Sequence, residues 1–228
     1  MKNIFMLLYG DKYNHEDVNR IVEATNCQTK YNYILYTDNP GMDNLHPQIE
    51  TVKIDSDWGT FNKIKMFERD NVGECVYLDL DIIIQYPNID ILFHKGVQKP
   101  AICKTYWKHE GFEAEHDGGD FNSSVMSWNS SNAKHIYEHF MKNPDYFITK
   151  YKGCDDKYLF HEHKDNFSNY GRGKIYSYMY GIDHKTDVSP RAKKYHEFAS
   201  ICLLNGQENY DFDLRSDYYF NLSNNKVG

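Results

Sequence analysis

Residues 75–84, Cys-Val-Tyr-Leu-Asp-Leu-Asp-Ile-Ile-Ile, place two carboxylates inside an otherwise apolar run. Side chains of an extended strand alternate between its faces, so residues two apart share a face. The spacing predicts that Asp79 and Asp81 point the same way, opposite the apolar side chains that flank them. Two adjacent carboxylates in an apolar strand repel each other and lose hydration unless a counter-charge or an open cleft compensates. We therefore expect a divalent cation at the carboxyl end of a central strand, where open α/β sheets bind ligands.

The composition is that of a globular chain with a net negative charge. It has 228 residues, 40% of them hydrophobic and 26% charged, which favours a single α/β domain over a disordered chain. The net charge of −7 without a dense basic patch argues against nucleic acid as the main partner. Five dispersed cysteines without a C-x-x-C pair are typical of reduced thiols, not of a disulfide framework or zinc site. No stretch reaches transmembrane length, so we expect a cytoplasmic protein without a membrane span.

Strand and helix patterns alternate through the first half of the chain. Strands are predicted at 4–9, 31–37, 51–54 and 75–84, with helices at 15–25 and 60–70. This order predicts a mostly parallel central sheet with helices on both faces. The second half is more irregular, with strands at 100–105, 121–128, 175–178 and 201–204, helices at 130–141 and 155–163, and a polar Gly-containing loop at 108–120 that could cover a ligand. Ser130 is the predicted N-cap of its helix.

The order of these motifs resembles the GT-A glycosyltransferases, most of all those of the family 8 type and their small bacterial and phage relatives. The segments that carry the resemblance are Tyr9-Gly10-Asp11, Trp58 with Lys63-Ile64-Lys65-Met66-Phe67, Asp79-Leu80-Asp81, Phe121-Asn122-Ser123-Ser124-Val125-Met126, Asp155-Asp156 and Ile201-Cys202-Leu203-Leu204-Asn205-Gly206. The likeness spans roughly residues 4–210 and rests on order and spacing. It implies a single Rossmann-like GT-A domain over 1–210, with a donor-binding half at about 1–105, an acceptor-side half at about 106–210 and a polar tail at 211–228.

The resemblance implies a metal-dependent enzyme that moves a sugar from a nucleotide-sugar donor, of the UDP-linked kind, to a glycan or other acceptor. Mn²⁺ or Mg²⁺ would stabilise the departing diphosphate, since oxygen ligands suit both ions. Asp81 would be the main metal ligand, and Asp79 would reach both the metal and the ribose. Lys63 would approach the donor phosphates, or else lie on a solvated helix face.

The remaining roles follow from the same likeness. Tyr9, Gly10 and Asp11 would line the nucleoside pocket. Asn122 would hold the donor sugar. Asp155 and Asp156 would lie beside the transferred sugar or the acceptor, as candidate catalytic groups.

Two positions depart from the family pattern. The late His that completes the metal shell in the family stands here as Asn205, followed by Gly206, and an amide oxygen is the weaker ligand for Mn²⁺. A position often occupied by Gln at the reacting face is Asp156, whose carboxylate could act as a base, a nucleophile or a helix cap. The acceptor and the stereochemical outcome stay open.

Two other functions remain open. Haloacid-dehalogenase-type phosphatases also deliver Asp-x-Asp on an apolar strand, and a later pair such as Asp155-Asp156 completes their Mg²⁺ site, although that strand is usually the first in the chain. The third possibility is a non-catalytic sugar- or nucleotide-binding module on the GT-A fold, because the late His is missing.

Overall fold

Apolar alternation in the first strands builds a central sheet with two buried faces. The computed structural model describes residues 1–25, 31–86, 89–108, 119–183 and 199–204. Its strands are β1 Lys2–Leu8, β2 Asn32–Thr37, β3 Ile49–Lys53, β4 Glu74–Leu78, β5 Ile82–Ile84, β6 Ala101–Lys104, β7 Phe121–Asn129, β8 Ser168–Asn169, β9 Ile175–Ser177 and β10 Ile201–Leu203. Its helices are α1 His15–Thr25, α2 Asp90–Gly96, α3 Ser130–Phe140, α4 Pro144–Lys150 and α5 Asp155–His163, with 3-10 helices at Gly59–Glu68 and Lys164–Asn166.

The larger sheet has the strand order β3-β2-β1-β4-β7-β6-β8. β1 pairs in parallel with β2 and β4, β2 with β3, and β6 with β8, whereas β7 runs antiparallel to both of its neighbours. All of its strands except β7 therefore point the same way, and the prediction of a mostly parallel sheet is confirmed. A smaller sheet has the order β5-β10-β9.

The two faces of the larger sheet carry separate cores. In β1, Ile4 and Met6 pack into one core and Phe5 into the other, as strand alternation requires. The first core also contains the apolar residues of α1 and α2, and the second contains those of the Gly59–Glu68 helix and of α3, α4 and α5. Helices therefore cover both faces, as predicted from the element order.

The predicted continuous strand over 75–84 is wrong. β4 pairs with β7 as far as Leu78, the chain then turns through the two aspartates, and β5 pairs antiparallel with β10 in the smaller sheet. The break moves the carboxylates from a strand interior to a strand end, where polar groups reach an open edge. The prediction that the two aspartates point away from the flanking apolar side chains still holds, since Leu78, Leu80 and Ile82 all pack into the same core.

The predicted N-cap of α3 is also wrong by one residue. The cap is Asn129, whose side chain accepts from the Ser131 N–H, while the Asn132 side chain accepts from the Asn129 N–H. Ser130 lies inside the helix and its hydroxyl instead accepts from the Gly73 N–H at 3.2 Å. Asn is as favourable as Ser at an N-cap, so the residue types alone do not decide between Asn129 and Ser130.

Short helices were harder to predict than long ones. The bounds of α1 and α5 match the predicted 15–25 and 155–163, but α2 and α4 have only 7 residues each and were not predicted. The segment predicted as a helix at 60–70 is a 3-10 helix. The central part of the 108–120 loop and the 211–228 tail lie outside the described residues. None of the helices in the described ranges has the length and apolar character needed to cross a bilayer.

We predict that Gly96→Ala destabilises the fold by about 2 kcal/mol or more, because overpacking against main chain cannot be relieved by a side-chain rotation. A Cβ on Gly96 would lie 2.4 Å from the Trp128 nitrogen and 2.5 Å from the Ser127 carbonyl carbon of β7. Gly41→Ala is the matched control, since a Cβ there meets nothing within 4 Å. Urea unfolding of both variants measures the difference, and equal midpoints would contradict the close packing of α2 on β7.

Candidate active site

A cavity of about 530 Å³ opens at one edge of the larger sheet. Parallel strands β1 and β4 end there, and β7, because it runs the other way, begins there. The amino end of α5 lies against the same opening. Open α/β sheets bind ligands at the carboxyl ends of their parallel strands, so this edge is the expected place for a site.

Both aspartates of the Asp-Leu-Asp segment line this cavity. The Asp79 N–H donates to the Ser124 carbonyl at 2.9 Å, which continues the β4–β7 pairing by one residue. The Asp81 carbonyl accepts from the Leu204 N–H at 3.1 Å, at the end of β10. Asp81 is buried, with 7% of its surface exposed. The main chain of this turn is thus fixed by a strand on each side.

Lys63 places a buried ammonium group among these carboxylates. Its side chain is 8% exposed, and Nζ lies 3.0 Å from Oδ1 of Asp79, 3.0 Å from Oγ of Ser123 and 3.8 Å from Oδ2 of Asp155. Burial alone lowers the pKa of this amine. The carboxylates of Asp155, Asp79 and Asp156 outweigh that effect, so the pKa is raised above its ordinary value and the group stays charged. The solvated helix face that the sequence left open for Lys63 is wrong.

The first two residues of α5 complete the opposite wall of the cavity. Asp155 is 4% exposed, and its Oδ2 has no hydrogen-bond partner among the described residues. Asp156 accepts a hydrogen bond from the Ser123 N–H at 2.7 Å. Burial and the neighbouring Asp155 charge raise the pKa of Asp156 to about 6, and Lys63 partly offsets them.

Of the three residues predicted to surround a nucleoside, the structure brings one to the cavity. Tyr9 lines it and donates a hydrogen bond to Asp57. Gly10 has a φ of +67°, which glycine adopts without strain, and its N–H donates to Asp38 at 3.1 Å. Asp11 is exposed and, with Gly10, lies outside the cavity lining within the described ranges.

Asn122, at the start of β7, also lines the cavity. Its Oδ1 accepts from the Ser124 N–H at 3.1 Å, which fixes the side chain and leaves the amide nitrogen for other partners. Asn205 and Gly206 fall outside the described residues, so their predicted contribution stays a prediction.

Tyr77 and Ser123 are among the cavity residues that sequence reasoning missed, and both contact its charged groups. Tyr77 donates a hydrogen bond to Oδ1 of Asp79, and Ser123 contacts both Lys63 and Asp156. Burial, and then the Asp79 charge, raise the pKa of Tyr77 well above its ordinary value, so it remains a donor. A signal existed for both: Tyr77 precedes Asp79 by two residues and shares its face, and Ser123 follows Asn122 within the quoted segment.

The charge of the cavity suits a divalent cation. Four carboxylates line it (Asp79, Asp81, Asp155 and Asp156), against the two ammonium groups of Lys12 and Lys63. Oxygen donors of this kind are those that Mg²⁺ and Mn²⁺ prefer. Across the described ranges, no group of three or more His, Cys, Asp or Glu side chains is arranged to hold a metal ion by itself. A cation here would need oxygens from a bound ligand, which is how Mg²⁺ commonly binds beside phosphates.

We predict that Asp156→Asn stabilises the protein by about 1 to 2 kcal/mol near pH 7.5, since it removes a partly buried charge and keeps an acceptor for the Ser123 N–H. The pKa of Asp156 is raised from an ordinary 3.8 to about 6 in the native state. Between these pH values the native state therefore binds a proton at Asp156 that the unfolded chain does not. The native state of the parent therefore loses stability as pH rises through that window, and the gain in the variant disappears below it.

Urea unfolding at a series of pH values from 3.5 to 8 measures this effect. Asp43→Asn, an exposed carboxylate in a turn, controls for the change in net charge. If Asp156→Asn raises the free energy of unfolding no more than Asp43→Asn does at every pH, the raised pKa of Asp156 is contradicted.

The likeness of this chain to known proteins is a likeness of fold. No protein-family model matches the chain, and no curated protein matches it. Among solved structures, the galactosyltransferase LgtC in complex with donor and acceptor sugar analogs aligns with a TM-score of 0.68 at 13% identity, over 96% of this chain and 95% of that chain. Glycosyltransferase GlyE of Streptococcus pneumoniae TIGR4 aligns with a TM-score of 0.65 at 12% identity, over 96% of this chain and 60% of that one.

A mouse structure extends the same comparison. The apo form of xyloside xylosyltransferase 1 aligns with a TM-score of 0.54 at 15% identity, over 90% of this chain and 98% of that one. At such identities the likeness concerns the fold, and it runs through nearly the whole described chain. The chain has the fold of the GT-A glycosyltransferases.

Proposed function

We propose that this protein is a metal-dependent glycosyltransferase that moves a sugar from a nucleotide-sugar donor, of the UDP type, to a glycan or other acceptor. One observation carries the proposal: on a GT-A fold, the cavity at the carboxyl ends of β1 and β4 is lined by four carboxylates and by a buried ammonium that is paired with two of them. That charge pattern suits a diphosphate that binds together with a divalent cation.

The metal role is assigned first to Asp81, with Asp79 beside it. Both side chains line the cavity, and their carboxylate oxygens are suitable ligands for Mn²⁺ or Mg²⁺. When bound, the cation supplies Lewis-acid stabilisation of the negative charge that develops on the departing diphosphate. Asn205 is the proposed third protein ligand, and Gly206 would accompany it at the donor.

Lys63 is proposed to contact the donor phosphates. It supplies a cation whose position is set by Asp79 and Ser123, so no reorganisation is needed when negative charge develops on the leaving group. Its raised pKa keeps it charged over the physiological pH range. A buried lysine on a rigid element orients phosphate better than a solvated side chain would, since less rotamer freedom is lost on binding.

The sugar is proposed to lie between Asn122 and the start of α5. Asn122 has an amide that can bind hydroxyl groups, and Asp155 offers a buried carboxylate oxygen without a hydrogen-bond partner in the described part of the chain. The Lys63 ammonium lies 3.8 Å from this oxygen, beyond hydrogen-bond distance, and a sugar hydroxyl could supply the missing donor. Asp156, with a pKa of about 6, can accept a proton or a hydrogen bond from the acceptor hydroxyl near neutral pH.

The nucleoside is proposed to lie against Tyr9 at the end of β1, with Tyr13 and Lys12 on the same side of the cavity. The tyrosine rings offer apolar surface for a base and hydroxyl groups for its polar edge. Gly10 and Asp11 would then contribute main chain and charge next to the nucleoside rather than the cavity wall itself.

No observation favours a phosphatase. The Asp-Leu-Asp turn follows the fourth strand of the chain, and the structural likeness described above is to glycosyltransferases. A binding module without turnover remains the alternative outcome of the assay below, because the family's late His is replaced by Asn205.

The test is an assay of nucleotide release from a panel of nucleotide sugars, with Mn²⁺, Mg²⁺ or EDTA. Release of UDP that depends on the cation supports the proposal. Phosphate release from a monoester substrate, without UDP release, would indicate a phosphatase. Binding of UDP without release from any donor would indicate a binding module.

We predict that Asp81→Asn weakens Mn²⁺-dependent UDP binding by about 100-fold or more, because one charged oxygen ligand is replaced by a neutral amide. The fold should persist, since the Asp81 main chain keeps its hydrogen bond from Leu204. Isothermal titration with UDP and Mn²⁺ measures the loss, and far-UV circular dichroism checks the fold. Asp165→Asn, an exposed carboxylate, is the matched control. Parent-like affinity in Asp81→Asn would place the cation elsewhere.

A further inference from the structure

Ser123 connects the two walls of the cavity. It is 2% exposed and lies near the start of β7. Its hydroxyl oxygen lies 3.0 Å from Nζ of Lys63, and its main-chain N–H donates to Oδ1 of Asp156 at 2.7 Å. Because an ammonium group only donates, the Ser123 hydroxyl is the acceptor in the first contact.

The geometry around the ammonium shows why this contact matters. Lys63 has three N–H donors, and its nitrogen lies 3.0 Å from Asp79, 3.0 Å from Ser123 and 3.8 Å from Asp155. The contacts with the two aspartates are charged pairs and fix the charge of the group. The neutral Ser123 adds little to that charge, but with Asp79 it is within hydrogen-bond distance of the nitrogen and so helps to fix where the nitrogen lies. Asp155 lies beyond that distance, which leaves an N–H donor that a phosphate can use.

The same residue also fixes the opposite wall. The N–H that holds Asp156 lies between paired positions of β7, which pairs with β6 at Asn122 and with β4 at Val125, so the flanking main chain is held by the sheet. One residue of β7, Ser123, therefore contacts both the ammonium of Lys63 and the carboxylate of Asp156. A substrate between them would meet a phosphate-binding cation and an acceptor-side carboxylate at a fixed separation.

We propose that Ser123 is a positioning residue for the transfer step, an inference that rests on the proposed function. Its hydroxyl holds Lys63 where the diphosphate departs, and its main chain holds Asp156 where the acceptor enters. Removal of the hydroxyl leaves the charge of Lys63 and the cation ligands in place, so donor binding persists. The rate of transfer falls, since small misplacements of a group that acts in the transition state cost much of its effect.

The kinetic experiment compares Ser123→Ala with Ser127→Ala in the UDP-release assay. Ser127 lies on the same strand, is 0% exposed, and its hydroxyl accepts from the Tyr170 hydroxyl at 2.7 Å. Both variants lose one buried hydrogen bond, but only the first loses it at the cavity. We expect kcat to fall about 10-fold in Ser123→Ala with the donor KM within about twofold of the parent, and Ser127→Ala to keep both constants.

A conservative variant separates position from stability. Ser123→Thr keeps a hydroxyl on a strand that tolerates β-branched residues, and it is expected to restore most of kcat. If Ser123→Ala fails to fold, Ser123→Cys preserves the volume with a much weaker acceptor and takes its place. A kcat within twofold of the parent in Ser123→Ala, or an equal loss in Ser127→Ala, overturns the proposal.

A measurement independent of turnover distinguishes this proposal from the proposed function. Buried, hydrogen-bonded lysine ammonium protons exchange slowly and give ¹H–¹⁵N signals, and Lys63→Met assigns the signal of Lys63. We expect Ser123→Ala to shift or broaden that signal and Ser127→Ala to leave it in place. An unchanged signal overturns the positioning of Lys63 by Ser123. A parent that releases UDP from no donor overturns the proposed function instead, while the ammonium signal still separates the two variants.

Discussion

The arrangement of the cavity depends on one buried ammonium group, that of Lys63. A charged amine taken out of water loses several kcal/mol of hydration, on the order of 5 in real proteins, and is kept only when carboxylates surround it. Lys63 satisfies that requirement with Asp79 and Asp155, which come from opposite walls. The dependence is mutual, because these carboxylates repel each other and the ammonium beside them offsets that repulsion. The incomplete balance appears at Asp156, the carboxyl whose pKa stands at about 6.

The direction of β7 is what brings the second wall to the site. A strand parallel to β4 would begin at the far edge of the sheet, and Asn122 and Ser123 would lie a strand length away from Asp79. Because β7 is antiparallel, its first residues meet the last residues of β4, in the register Leu78 to Val125. The helix α5 then packs against the start of β7, which places Asp156 within hydrogen-bond distance of Ser123.

Much of this arrangement could be predicted from sequence, and the failures have a common cause. Apolar residues that recur with period 2 or period 3.6 predicted most strands and the bounds of α1 and α5, because this periodicity shows which face of an element is buried. They could not show that the chain breaks after Leu78, since that break depends on β5 pairing with β10 more than a hundred residues later. The contacts of Tyr77 and Ser123 were missed for the same reason. Both residues are ordinary in a strand pattern, and only the packed structure shows which charges they touch.

The two aspartates of the turn have unequal surroundings, and this bears on how they would share a cation. Asp79 already accepts from Tyr77 and from Lys63, so a divalent ion that approaches it meets an ammonium about 3 Å from the same carboxylate. Two like unit charges about 4 Å apart repel by about 1 kcal/mol even in bulk water, so an ion bound close to this ammonium would be disfavoured. Asp81 follows two residues later, where its carbonyl accepts from the Leu204 N–H at the end of β10. Under the proposed function, an ion held mainly by Asp81 and the ammonium of Lys63 would face the same cavity. A diphosphate between them would then be neutralised from two sides, and under the proposed function a buried lysine and an excess of carboxylates serve the same ligand.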